Sequence, residues 1–89
     1  MKESIKNHLN KSGKFLIIGK NSYKVARKLL DKIIGGTIYD KVNTLPKETQ
    51  QTFYREIQEK DKVVVGTIES EIKIPNLIKQ NCMILRLKN

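Results

Sequence analysis

Apolar positions along the chain fall into two kinds of group, short uninterrupted runs and stripes repeating every three to four residues, and the two kinds alternate. Ile5 and Leu9, four apart within residues 2–11, predict a short amphipathic helix ending near Ser12-Gly13, with His8 on its surface. Phe15 to Ile18 is a continuous apolar run between Gly13 and Gly19, the pattern of a central strand buried on both faces. Asn21 and Ser22 are N-cap residues, and Val25, Ala26, Leu29, Leu30 and Ile33 then lie on one helical stripe that Gly35-Gly36 stops. Thr37 to Val42 reads as a second strand. Leu45, Thr49, Phe53 and Ile57 recur every four residues and, with Pro46 near the first turn, predict an amphipathic helix over 46–59, closed by the charged turn Glu59 to Lys62. Val63 to Ile68 is a third strand, Ile74 to Lys79 a short helical turn, and Cys82 to Leu87 the last strand. Strands separated by helical connections predict an α/β fold, a small three-layer arrangement in which a parallel four-stranded sheet carries helices on its faces.

Composition narrows this to one domain over residues 1–89, with an N-terminal helix over 1–12 and an α/β core over 14–88. The longest apolar runs are too short to span a bilayer, and residues 1–14 lack the apolar stretch of a secretory signal, so the expected location is the cytoplasm. Cys82 is the one cysteine, which excludes a disulfide framework and a cysteine zinc site. Stability has to come from packing.

Charge then sharpens the picture, because the formal +9 is unevenly spread. Residues 1–36 hold nine Lys/Arg against two acids, net +7, and residues 37–89 hold nine against seven, net +2. Lys20, Lys24, Lys28 and Lys32 recur at four-residue spacing and form one helical stripe with Arg27 beside it. Such a stripe can meet phosphates or an acidic protein surface, and it can equally be a solvated face. The aromatic residues Phe15, Tyr23, Tyr39, Phe53 and Tyr54 are few for a stacking platform, and at least two take core-facing positions.

Catalytic signals are weak. The turn Gly19 to Lys24 joins a strand to a helix N-terminus, where phosphates often bind, but it has one glycine and no Lys-Ser/Thr pair opening the helix. Asp40, at the end of the second strand, is the best acid-base candidate, although a strand-end Asp is more often a cap. His8 and Cys82 lack a nucleophile's local context, and Glu69 with Glu71 makes no metal site without further ligands. No catalytic residue, metal ligand or cofactor is expected.

The run Gly35-Gly36-Thr37-Ile38-Tyr39-Asp40, followed by Leu45-Pro46-Lys47-Glu48-Thr49-Gln50 and the helix to Glu59, resembles the GGTLFLDE and LPxxxQxxLLRxLQE segment of sigma-54 activator ATPases of the AAA+ class. Val63 to Thr67 is similar to that family's sensor strand, Met83 to Leu87 to the strand after it, and Phe15 to Gly19 with Val25-Ala26-Arg27 to its nucleotide-loop segment. The resemblance covers roughly residues 14–88 and implies a minimal P-loop-like core with the last strand at one edge beside the first, then Val63 to Ile68, then Thr37 to Val42 at the other edge. Gly19, Gly35, Gly36, Asp40 and Thr67 are its motif remnants.

Departures from the family decide what the resemblance implies about function. The phosphate loop is about two residues short, leaving Ser22 where the nucleotide-binding Lys would fall, and Ile34 runs directly into Gly35 where the family carries a further strand and its sigma-contacting loop. Asp40 matches the metal-associated Asp, but Lys41 stands in place of the catalytic Glu. The expectation is a non-catalytic regulatory or binding module of bacterial transcription regulation, working through protein-protein contacts with a regulator or with a second copy paired through residues 37–42. The candidate contact surface is Lys20, Lys24, Arg27, Lys28 and Lys32. The alternative is a small basic α/β protein that binds nucleic acid.

Overall fold

The computed structural model describes residues 13–31, 36–70 and 73–87. The expected N-terminal helix with His8, and Lys32, Ile33, Gly35 and Glu71, lie outside the described residues. In chain order the elements are β1 (Lys14–Ile18), α1 (Ser22–Asp31), β2 (Thr37–Tyr39), a 3-10 turn (Val42–Thr44), α2 (Lys47–Glu56), β3 (Val64–Ile68), α3 (Asn76–Asn81) and β4 (Met83–Arg86). All four strands are parallel in the order β2-β3-β1-β4, the order that the motif resemblance implied.

Side chains alternate across β1 and β3 and so build two cores, one on each face. Leu16, Ile18, Val64 and Ile68 point to the face covered by α2 and α3, where Phe53, Ile57, Ile74, Ile78 and Cys82 complete the larger cluster. Ile17 and Val65 point to the other face and pack with Ala26 of α1, flanked by Val25, Leu29 and Leu30. The helix stripes expected from their spacing therefore face the sheet from opposite sides, giving three layers. β3 is buried along its whole length because it is paired on both edges and covered on both faces.

Local chemistry explains the element ends. Pro46 and Pro75 precede α2 and α3, and their carbonyls accept the first helical bonds, from Gln50 N–H at 2.9 Å and Lys79 N–H at 3.2 Å. In α2, Glu48 in the first turn and Arg55 in the last both complement the helix dipole. α2 ends at Glu56, three residues short of the expected 59, in a turn where the N–H groups of Gln58 and Glu59 bond to the carbonyls three residues back. The second strand is also shorter than expected. It stops at Tyr39, and Lys41 takes a left-handed conformation (φ 52) that turns Val42–Thr44 into a 3-10 turn. The self-pairing edge expected over 37–42 is thereby reduced to three strand residues. At the opposite edge β4 exposes Met83 and Leu85. Among the described residues no helix is long and apolar enough to cross a membrane.

Candidate binding site

In a parallel sheet with helices on both faces, loops diverge at the carboxyl ends of neighbouring strands whose connections run to opposite faces, and a crevice opens there. The loop after β1 leads to α1 on one face and the loop after β3 leads to α3 on the other, so the crevice falls between β1 and β3. A cleft of about 270 Å³ lies at this place, lined by Gly19, Lys20, Glu69, Ser70, Arg86 and Leu87. Gly19 shapes it. Its φ of +146 suits glycine, its N–H bonds to the Ile68 carbonyl at 2.9 Å, and a Cβ there would stand 2.8 Å from Leu87 Cβ. Ser22 is the buried first residue of α1, and its N–H bonds to the Gly19 carbonyl at 3.1 Å, which closes the turn tightly.

Beside the cleft, the end of β2 meets the end of β3. The buried Thr67 hydroxyl donates to Asp40 Oδ1 at 2.5 Å and accepts the Lys41 N–H at 2.9 Å. The Lys41 carbonyl receives both the N–H and the hydroxyl of Thr44, each at 2.8 Å. These three bonds hold Lys41 in a conformation that costs a non-glycine residue about 1 kcal/mol. Its ammonium meets Glu69 Oε1 at 3.2 Å, an exposed pair that adds little stability. Two motif remnants, Asp40 and Thr67, are thus brought together, and the carboxylate that could act as an acid-base group is engaged by a threonine, while the neighbouring Lys41 ammonium goes to Glu69. The Lys41–Glu69 pair has no signal in the sequence, since it depends on how β2 registers against β3. Among the described residues no three His, Cys, Asp or Glu side chains cluster as metal ligands.

The basic surface lies on α1. With Ala26, Val25, Leu29 and Leu30 turned to the sheet, Lys24, Arg27 and Lys28 project from the outer face, and all three are exposed. Lys20 is exposed as well, but it precedes the first residue of α1 and stands at the lip of the cleft rather than on the helical stripe. The reason is the Gly19–Asn21 turn, which occupies the positions that a longer helix would need. Tyr23 is 46% exposed at the flank of that outer face, in helical register with Arg27. Among the described residues Lys20, Lys24, Arg27 and Lys28 have no ion-pair partner, whereas Arg55 pairs with Glu59, and Lys62 with Glu56 and Glu59, on the far side of the sheet. Gly36 has a packing role: a Cβ there would run into Leu30.

A further polar cluster ties β2 to α2. Tyr39 donates its hydroxyl to Glu56 Oε1 at 2.5 Å, and its ring meets the Phe53 ring edge-on with centroids 5.2 Å apart. Loss of water around the phenol, and next its bond to the Glu56 carboxylate, push its pKa up to about 12. An ultraviolet titration of the three tyrosines is therefore expected to show one ionisation centred near pH 12, absent in Tyr39→Phe. Because the folded-state value lies above the unfolded one, this group's stabilisation is present below pH 10 and is lost as pH rises toward 12. A titration of Tyr39→Phe that keeps the late step would overturn the assignment. Lys14, buried at the start of β1, donates to the Lys62 carbonyl, and burial lowers its pKa.

Comparison with protein-family models, with curated proteins and with solved structures finds no match to this chain.

Proposed function

We propose that the chain is a non-catalytic binding module whose working surface is the outer face of α1, and that its partner is polyanionic. One observation carries this reading: Lys24, Arg27 and Lys28 are gathered on one face of a single helix, exposed and, among the described residues, unpaired, whereas the other described cations are held by carboxylates or, like Lys47, Lys60, Lys73 and Lys79, scattered over separate elements. Unpaired charges of one sign on one face create the field that draws and orients an opposite charge. The Asp40–Thr67 and Lys41–Glu69 corner supports the non-catalytic part, since one Asp40 oxygen is taken by the Thr67 hydroxyl and the residue next to it is a lysine paired with Glu69 where a second carboxylate would be needed to polarise water. The motif resemblance would put such a module in cytoplasmic transcription regulation.

Charge reversal tests the assignment. Lys24→Glu with Lys28→Glu removes two charges per site and takes the formal charge from +9 to +5, as does the control pair Lys47→Glu with Lys79→Glu on the opposite face. On immobilised heparin the α1 variant is expected to elute at much lower salt than the parent, and the control pair close to it. Equal weakening by both pairs would show that net charge alone matters and would remove α1 as the site.

A further inference from the structure

We infer that the polyanion taken by the α1 face is single-stranded nucleic acid, an inference that rests on the polyanion reading above. The position of Tyr23 points to it. Of the described aromatic residues, Phe15, Tyr39 and Tyr54 are half-buried and Phe53 is buried, whereas Tyr23 is 46% exposed. Among the described residues its ring stacks on no other aromatic ring, the ring contacts being those of Tyr39, Phe53 and Tyr54. A large, half-exposed ring beside three exposed cations on one helix is a stacking platform with phosphate ligands next to it.

Geometry and composition agree. Tyr23 and Arg27 form one row of the helix surface, and Lys24 and Lys28 form the next, each pair about 6 Å apart along the axis. Lys20 extends the cations beyond the helix start to the cleft. Asp31, the one described acid on α1, is its last residue, one turn beyond Arg27 and Lys28. A phosphate backbone can satisfy a repeated row of ammonium groups by simple translation. The centres of protein interfaces, by contrast, are poor in lysine, and three of these four cations are lysine. A paired duplex offers a backbone but no free base face for Tyr23, so the ring and the cations together favour an unpaired strand.

The test is fluorescence anisotropy of the full chain with labelled oligo(dT), oligo(U) and a duplex of equal length, each over a salt titration. Both single strands are expected to bind more tightly than the duplex, with a log-log salt slope of about −3 for four phosphate contacts. Tyr23→Leu is expected to weaken single-strand binding about tenfold, with the salt slope and duplex binding unchanged, and Tyr23→Phe to bind like the parent. Asp31→Asn is expected to tighten binding. The inference is overturned if the duplex binds as tightly as the single strands, or if Tyr23→Leu has no effect. Retention of poly-glutamate without oligonucleotide binding, sensitive to Lys24→Glu with Lys28→Glu, would overturn it and leave the polyanion reading standing. Binding to none of these polymers at low salt would end both.

Discussion

Phe53→Ala is expected to lower the urea midpoint of unfolding by roughly 3 M or more, on a slope near 1 kcal/mol per molar. The side chain is 1% exposed and sits at the centre of the larger core, between Tyr39, whose centroid is 5.2 Å away, and Tyr54, at 5.9 Å. It also covers Gly66, in the middle of the fully buried β3. Removing a buried phenyl group costs about 3–5 kcal/mol in lost transfer energy and residual cavity. A chain of 89 residues has roughly 4–13 kcal/mol in total, so at the lower end most molecules unfold at room temperature. Phe53→Leu keeps most of the buried volume and is expected to cost about 1 kcal/mol. A midpoint change below about 1 M for the alanine variant would contradict this packing of Phe53.

Gly66→Val is expected to destabilise the protein by about 2 kcal/mol, against the local preference of a strand for valine. Gly66 is paired with Leu16 on one side and Tyr39 on the other, so the backbone there has no freedom to move away. A Cβ would lie 2.9 Å from Phe53 Cζ and 3.1 Å from Val42 Cγ1. The ring must therefore shift, and with it the contacts to Tyr39. Combining Gly66→Val with Phe53→Leu is expected to cost less than the two changes added, with a coupling of about 1 kcal/mol or more. If the valine variant is as stable as the parent, the ring is not seated on the glycine. The glycine is a packing device, which also explains why a glycine interrupts an otherwise β-branched run from Val63 to Ile68.

Helix and strand identities were legible because each rests on neighbours within one or two turns. Val25, Ala26, Leu29 and Leu30 share a face at any position of a helix, and Phe15 to Ile18 reads as a buried strand whatever pairs with it. The end of β2 was not legible. Lys41 continues a plausible strand pattern, yet it adopts φ 52 because Thr67, Thr44 and Glu69 bind its backbone and side chain there. The spacing predicts a contact surface of four striped lysines with Arg27 beside them, and Lys24, Arg27 and Lys28 stand on the outer face of α1. Lys20 was displaced from it by the tightness of the Gly19–Asn21 turn.

The sequence by itself determined the alternation of strands and helices, the division of each element into an inward and an outward side, and the concentration of cations before and along α1. These follow from short-range periodicity and from where charge sits in the chain. Tertiary structure decided which groups remain available. Asp40 and Thr67 are 27 positions apart and meet because β2 registers against β3 with Tyr39 opposite Gly66. Lys41 finds Glu69 by the same register, while no described carboxylate comes within ion-pair reach of Lys24, Arg27 or Lys28. Whether a charge is spent inside the fold or left for a partner depends on contacts between distant segments, and these exist only once the sheet has formed.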